Sequence, residues 1–380
     1  WSMRHAVQRR FMSTLQVSSS YAYKADDFGR FIVEDNAQIV EEDNSDHTVS
    51  CGVLYRPNRV FSLATNYTYR LDRQWDHDYD NFREENRQTF GGFGARRPAY
   101  EDSVWDADDD KRRDRFEGRW ALGGLGFLRS FGDLGQSLEA NDVAAEFVRK
   151  KIREIVDDPE VAETLCPDGV IGCKRLCVDT NYYATFNRDN VSLVDIKDAP
   201  IERLTEAGPT TGGREFEFDA IIFATGFDAM TGSLLRINIE GRSGLSLREK
   251  WAAGPRTYLG LSMADFPNLF TISGPGSPSV LSNMIVTIEQ HVNWIMDCLN
   301  YMRAKALATI EANTDAEDAW VKQSNELADM TLMPQCNSWY LGANIPGKAR
   351  IFMPFVGGIP MYFETCDRVA ANHYEGFTLS

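Results

Sequence analysis

The 380 residues are 43% hydrophobic and 25% charged, enough for two or three domains that each bury a core. Acidic residues outnumber basic ones 56 to 40, giving a formal net charge of -16. This excludes nucleic acid as the main partner, since phosphate binding needs a basic footprint, but it allows an anionic dinucleotide in a local basic pocket. No run is apolar for long enough to make a transmembrane helix. Arg4, Arg9 and Arg10 have no apolar stretch behind them and open no secretory signal, while Trp1 in first place suggests a fragment or processed piece. Seven cysteines, an odd number without a C-x-x-C pair, signal neither a disulfide framework nor a zinc site. They imply a reducing, cytoplasmic setting for residues 85–380.

Residues 1–80 read as antiparallel strands. Leu15, Val17, Tyr21 and Tyr23 alternate with polar residues, as do Val49, Cys51, Val53 and Tyr55, then Phe61, Leu63, Tyr67, Tyr69 and Leu71 after the turn at Arg56-Pro57-Asn58. Segments near ten residues, rich in Tyr and Thr, resemble strands of outer-membrane β-barrels. A small soluble meander packed on one face is the other reading, and an outer-membrane-derived origin stays open for this segment. A composition shift near residue 80 begins a charged bridge and helical region, 81–165. There Asp106 to Asp110 followed by Lys111, Arg112 and Arg113 predict a solvated helix start. Ala144, Val148, Ile152 and Ile155 predict a helix that stops before Asp157-Asp158-Pro159. Strands are predicted at 191–196, 201–204, 216–225 and 268–273, with Ala220–Ala224 as a buried strand. A long helix follows with Ile285, Ile288, Val292, Ile295, Leu299 and Met302 on one face.

Four constellations could carry chemistry. Phe223-Ala224-Thr225-Gly226-Phe227-Asp228 ends a strand in a glycine that lets backbone approach a ligand; alone it is an ordinary strand-end turn. Gly274-Pro275-Gly276-Ser277-Pro278-Ser279, with Val280-Leu281-Ser282-Asn283-Met284, leads into a helix N-terminus, which is either an anion site or a plain joint capped by Ser282. Gly172-Cys173-Lys174-Arg175 places two cations beside aromatics, a phosphate and oxyanion holder or a solvated pair. Ser338-Trp339-Tyr340 in a Gly- and Asn-rich loop either plugs a core or anchors a lid. His291 has no second His or Cys at ligand spacing, so no metal site is expected, and no base sits beside Ser279 to make it a nucleophile.

The run G-P-G-S-P-S-x-L-S-N-M followed by Ile288-Glu289-Gln290-His291, the A-T-G-F-D element and the G-C-K-R run together resemble the Baeyer–Villiger-type flavin monooxygenases. The resemblance extends from about residue 85 to Ser380. It implies an α/β fold: an incomplete two-dinucleotide-binding-domain flavoprotein, preceded by the antiparallel β segment. The remainder of the NADP-binding domain would occupy 166–228 and the C-terminal part of the FAD-binding domain 229–380. It further implies FAD and NADP as cofactors, and conversion of a small ketone with O2 into an ester or lactone.

On that resemblance Arg175 is the catalytic residue that stabilises the peroxyflavin anion, and Lys174 and Trp339 contact the nicotinamide cofactor. Thr225, Gly226, Asp228, Gly276, Ser282, Asn283 and Met284 contribute to cofactor binding, and Ser279, Val280 and Leu281 form the substrate pocket wall. Leu176 replaces a proline that often follows the arginine. The family also has two G-x-G-x-x-G loops N-terminal to this region, and neither occurs in the 380 residues. The chain alone is therefore expected to be inactive, since dinucleotides lose their main pyrophosphate anchors. A complementing chain could supply the loops; a non-catalytic fusion or truncated product is the alternative.

Overall fold

In the computed structural model, which describes residues 22–24, 30–32, 46–56, 63–72, 84–93 and 100–380, the alternating N-terminal sequence forms four strands. They are β1 (Ala22–Lys24), β2 (Arg30–Ile32), β3 (Asp46–Arg56) and β4 (Leu63–Asp72), each antiparallel to the next. Val49 lies opposite Tyr69 and Cys51 opposite Tyr67, so the period-two positions of the long pair run in phase. The three-residue β2 was not expected. Most of the strand expected at 14–24 lies outside the described residues. The chain divides into two units, Trp1–Glu85 and Asn86–Ser380.

The second unit begins with helices set by their caps. The Asp108 carboxylate accepts from the Lys111 amide at 2.8 Å and starts α1 (Asp109–Leu122), with Asp109 and Asp110 at the positive end of its dipole. Ser137 caps α2 (Leu138–Ile155), and Asp158 caps α3 (Pro159–Leu165), where proline needs no amide partner. Phe116, Phe127 and Phe147 pack between α1 and α2 with ring centroids 5.3 to 5.7 Å apart. After the single turn α4 (Tyr182–Thr185) comes a small antiparallel sheet of β5 (Ile201–Leu204), β6 (Pro209–Thr211) and β7 (Arg214–Glu215).

Short helices α5 (Gly232–Arg236) and α6 (Leu247–Lys250) precede the main core. That core gathers Tyr258, Trp294, Trp320, Phe355, Tyr362 and Phe377 between α7 (Met284–Ala304), α8 (Thr314–Asp329) and α9 (Gly358–Ala371). Two strands, β8 (Ile310–Ala312) and β9 (Phe377–Leu379), pair antiparallel at its edge.

Four expectations need correction. No strand forms at 191–196, 216–225 or 268–273. The residues expected as a buried strand face outward, Ile222 being 91% exposed. A parallel strand exists only with neighbours on its edges; here Phe216 and Phe218 donate to the Pro209 and Ala207 carbonyls at 3.0 Å, and no backbone bond holds 219–225 to a neighbouring strand among the described residues. In α7 the buried stripe is Thr287, Gln290, His291, Trp294, Cys298 and Met302, while Ile285, Val292 and Leu299 are exposed. The helix is turned so that Thr287 and His291, which have hydrogen-bond partners, enter the core together with Gln290, whose side-chain amide is buried without one. Asn283 caps α7 rather than Ser282, whose hydroxyl donates to the Ser279 carbonyl at 2.9 Å. Finally, Cys173 and Cys336 form a disulfide.

Candidate functional site

The glycine loop before α7 is held at nearly every polar group. The Gly276 amide donates to the Met353 carbonyl at 2.7 Å, and its carbonyl accepts from the Trp320 indole at 2.9 Å. The Thr257 hydroxyl donates to the Pro275 carbonyl at 2.6 Å, and the Ser277 hydroxyl to the Gly274 carbonyl at 2.7 Å. Gly276 has φ +82, and a Cβ there would lie 2.7 Å from the Thr257 hydroxyl, so glycine is required. Past the loop, the Asn283 side chain accepts from the Ile285 amide at 3.2 Å and donates to the Gly92 carbonyl at 3.2 Å. Its own amide donates to the Gly91 carbonyl at 2.8 Å. Gly91 and Gly92 thus serve as backbone acceptors that seat the start of α7, with Met284 its first residue.

His291 fixes the other end of the loop. Its Nδ1 accepts from the Ser273 amide at 2.9 Å, and Nε2 lies 2.8 Å from the Tyr362 hydroxyl, which donates to the Leu259 carbonyl at 2.6 Å. With the tyrosine proton committed to Leu259, Nε2 must carry the imidazole proton, and the bond at Nδ1 requires the same tautomer. Burial pushes the imidazole down to about 4, so the ring stays neutral.

The Arg175 guanidinium donates to the Val280 carbonyl, joining the cationic loop to the turn Ser279-Val280-Leu281. Burial raises the Tyr340 phenol, and the positive charge of Arg175 opposes that shift. Ser279 is buried with its hydroxyl 3.3 Å from the Ser273 carbonyl and 3.7 Å from the Met230 sulfur. Nearby in the chain, the Ser273 and Thr231 hydroxyls are buried without a hydrogen-bond partner. Such orphans fit a bound polar group that completes them.

A second cluster forms an open cavity of about 550 Å³. Lys174, Thr225, Gly226 and Trp339 line it, joined by Ala224, Phe227, Ala229, Asn337, Ala343 and Asn344. The lining offers a cation, an indole, a hydroxyl and two carboxamides but no carboxylate, a set suited to an anionic, partly aromatic ligand. Asp228 stays outside the lining and pairs with Lys348, whose ammonium also donates to the Ala229 carbonyl at 3.1 Å. The Asn344 amide donates to the Phe227 carbonyl at 2.9 Å, so the exposed Thr225–Phe227 turn is tied to the 337–348 loop.

The structure therefore sorts the expected residues into two groups. Lys174, Thr225, Gly226 and Trp339 meet at the cavity. Arg175 meets Val280, and Gly276, Ser282, Asn283 and Met284 form the joint behind it. Sequence reasoning missed Asn337, the anchoring role of His291 and the Gly91–Gly92 acceptors. A buried histidine at the eighth residue of a helix gave no pattern to read. Among the described residues no group of His, Cys, Asp or Glu is placed to hold a metal ion, and no helix is long and apolar enough to cross a membrane.

No family model matches the chain. Among curated proteins it is 40% identical over 305 residues to a Baeyer-Villiger monooxygenase of Pseudooceanicola batsensis, covering 79% of this chain and 54% of that protein. It is 41% identical over 275 residues to the cyclohexanone 1,2-monooxygenase of an Acinetobacter species, covering 71% and 50%. Among solved structures, an oxidized steroid monooxygenase bound to NADP superposes with TM-score 0.75 at 44% identity, over 82% of this chain and 59% of that one. OTEMO in complex with FAD and NADP superposes with TM-score 0.77 at 36% identity, with the same coverage of 82% and 59%. The chain thus spans about half the length of the curated relatives it matches.

Proposed function

We propose, on the premise that residues from about 86 to 380 belong with the Baeyer–Villiger flavin monooxygenases as their C-terminal portion, that the whole protein converts small ketones into esters or lactones with FAD, NADPH and O2. The observation that carries this is the convergence of Lys174, Thr225, Gly226 and Trp339 on one cavity, with Arg175 directed at the Ser279–Leu281 turn. FAD, when bound, accepts hydride from NADPH and activates oxygen. The protein residues do the rest. Lys174 offers its ammonium to the anionic part of the nicotinamide cofactor, and Trp339 an aromatic face to the ring. Arg175 holds a permanent positive charge beside the turn that shapes the ketone pocket. The start of α7 at Asn283 and Met284 points a positive dipole end toward the flavin side. We place this chemistry in the cytoplasm.

We further propose that the 380 residues do not turn over alone, because they hold no G-x-G-x-x-G loop. Two apolar faces that stay exposed among the described residues support this reading: Ile222, Phe223 and Phe227 on one run, and Ile285, Val292, Met296 and Leu299 along α7. Sequence carrying the nucleotide loops, within the same protein or on a complementing chain, would cover them. The purified chain should keep no visible flavin band after FAD addition and desalting. Mixing in the N-terminal half of a close relative should restore a flavin band and ketone-dependent NADPH oxidation, and Arg175→Ala should lose the oxidation while keeping the band. Flavin retained by the chain alone would overturn the dependence. Restored flavin without any ketone dependence would favour the non-catalytic reading.

A further inference from the structure

Two segments that line the cavity are joined by a covalent bond beside it. Cys173 immediately precedes Lys174, and Cys336 immediately precedes Asn337; both following residues line the cavity, as does Trp339. Cys173 and Cys336 are bonded across 163 residues of sequence, with Cα atoms 5.7 Å apart, within the normal disulfide span. The cationic loop is held at its flanks, where Asn141 bonds the Ile171 amide and carbonyl at 2.9 Å and where Ile171 and Leu176 pack on the core between α1 and α2. Between those anchors Lys174 and Arg175 are exposed, and besides the disulfide the hydrogen bond that ties them to the later segment is that of Arg175 to the Val280 carbonyl. The opposite wall is firmer, since the Ser338 hydroxyl caps the turn Trp339–Leu341 and Tyr340 is buried.

We propose that Cys173–Cys336 is a redox latch on this cavity. Bonded, it holds Lys174 against the Asn337–Trp339 wall; reduced, it frees the exposed loop to swing away. The reductant is a dithiol. One of its thiolates attacks the sulfur of Cys173, the less buried residue of the two, and releases Cys336 as a thiolate that takes up a proton. The second thiol then resolves the mixed disulfide and frees Cys173 as a thiol. Two electrons and two protons pass to the protein, and the dithiol becomes a disulfide. Cys177 lies on the same loop, exposed and unbonded, and serves as a control. The effect on nucleotide binding rests on the proposed reading of the cavity; the latch itself does not.

The test uses the full chain purified in air, with and without dithiothreitol. Peptide mapping without reductant should recover one cross-linked pair holding Cys173 and Cys336, and reduction should add about two mass units, one hydrogen per sulfur. Hydrogen exchange in segments 172–181 and 336–348 should then speed up severalfold on reduction, while α7 stays unchanged. Cys336→Ser should exchange like the reduced protein under both conditions, and Cys177→Ser like the wild type. Absence of the cross-link, or a cross-link whose reduction leaves exchange unaltered, would overturn the latch. NADP+ titration of both forms, each mixed with the N-terminal half of a close relative that carries the nucleotide loops, is a separate arm. Tighter binding to the bonded form supports the latch as a control on the cavity, and equal binding refutes that control. Binding to neither form counts against the cavity reading and leaves the latch to the exchange result.

Discussion

The segment from Tyr258 to Phe377 and the run from Phe216 to Phe227 are both rich in aromatic and branched residues, but they meet different surroundings. In the first, Trp320 stacks on Phe355 with centroids 4.9 Å apart, Tyr258 tilts against Phe377 at 5.0 Å, and Trp294 meets Tyr374 edge-on at 5.1 Å. Three helices and a strand pair close around these rings, and Phe355 and Tyr362 are buried. In the second run Phe227 is 87% exposed, and beyond Phe218, whose amide donates to the Ala207 carbonyl, no ladder forms. The difference is one of range. A helix satisfies its backbone locally and needs only one face covered, whereas an interior strand needs neighbours on both edges before its side chains can be enclosed. Helical parts of this unit therefore hold their packing, and strand-like parts wait for a partner.

Substitutions can sharpen that contrast. Phe355→Ala should lower the unfolding free energy read from urea denaturation by about 3–5 kcal/mol, the range for an enclosed aromatic side chain with no room to collapse. A cost below about 1 kcal/mol would mean that the ring is not enclosed in solution.

The next effect is a pH dependence confined to the core. Burial holds the His291 imidazole down at about 4, against an ordinary value of 6.5. As pH falls through 6.5 the unfolded chain takes up a proton that the folded protein refuses, so stability drops from there until about pH 4. The full loss is about 3 kcal/mol, and this group contributes no slope above neutrality. Urea midpoints of the wild type and His291→Gln from pH 7.5 to 4.5 separate this contribution from that of the carboxylates. If the two fall in parallel, the imidazole is not held neutral as the structure requires.

The smallest effect belongs to the exposed run. Phe223→Ser should shift the midpoint by less than about 0.5 kcal/mol while lowering light scattering at high concentration. A larger destabilisation would show that the run is packed in solution, and would remove the contrast.

How much was legible in the sequence follows the same division. The α2 helix was readable because Ala144 and Ile152 repeat at helical spacing and the Asp158-Pro159 pair stops it. The face of α7 was misjudged because counting apolar residues passed over His291, Gln290 and Thr287, which enter the core through hydrogen bonds or close packing. The run 220–224 was misread because its composition fits a strand while its partners are not encoded nearby. Of the site, Lys174, Thr225, Gly226 and Trp339 came from motif resemblance alone, and no spacing rule brings residues so far apart to one cavity. The Cys173–Cys336 pair was invisible for the same reason, since an odd count of dispersed cysteines gives no pairing.

The β8–β9 pair limits how this protein can be handled at the bench. The Ser380 carbonyl accepts from the Ala308 and Thr309 amides at 2.6 and 2.7 Å, and Phe377 in the same strand beds against Tyr258 and Trp294. An affinity tag or surface tether fused directly after Ser380 would pull on a strand that seals the core, and force applied there would be borne by Ile310–Ala312 in shear. Gly118, on the exposed side of α1 with open space where its Cβ would stand, is a safer handle for a label.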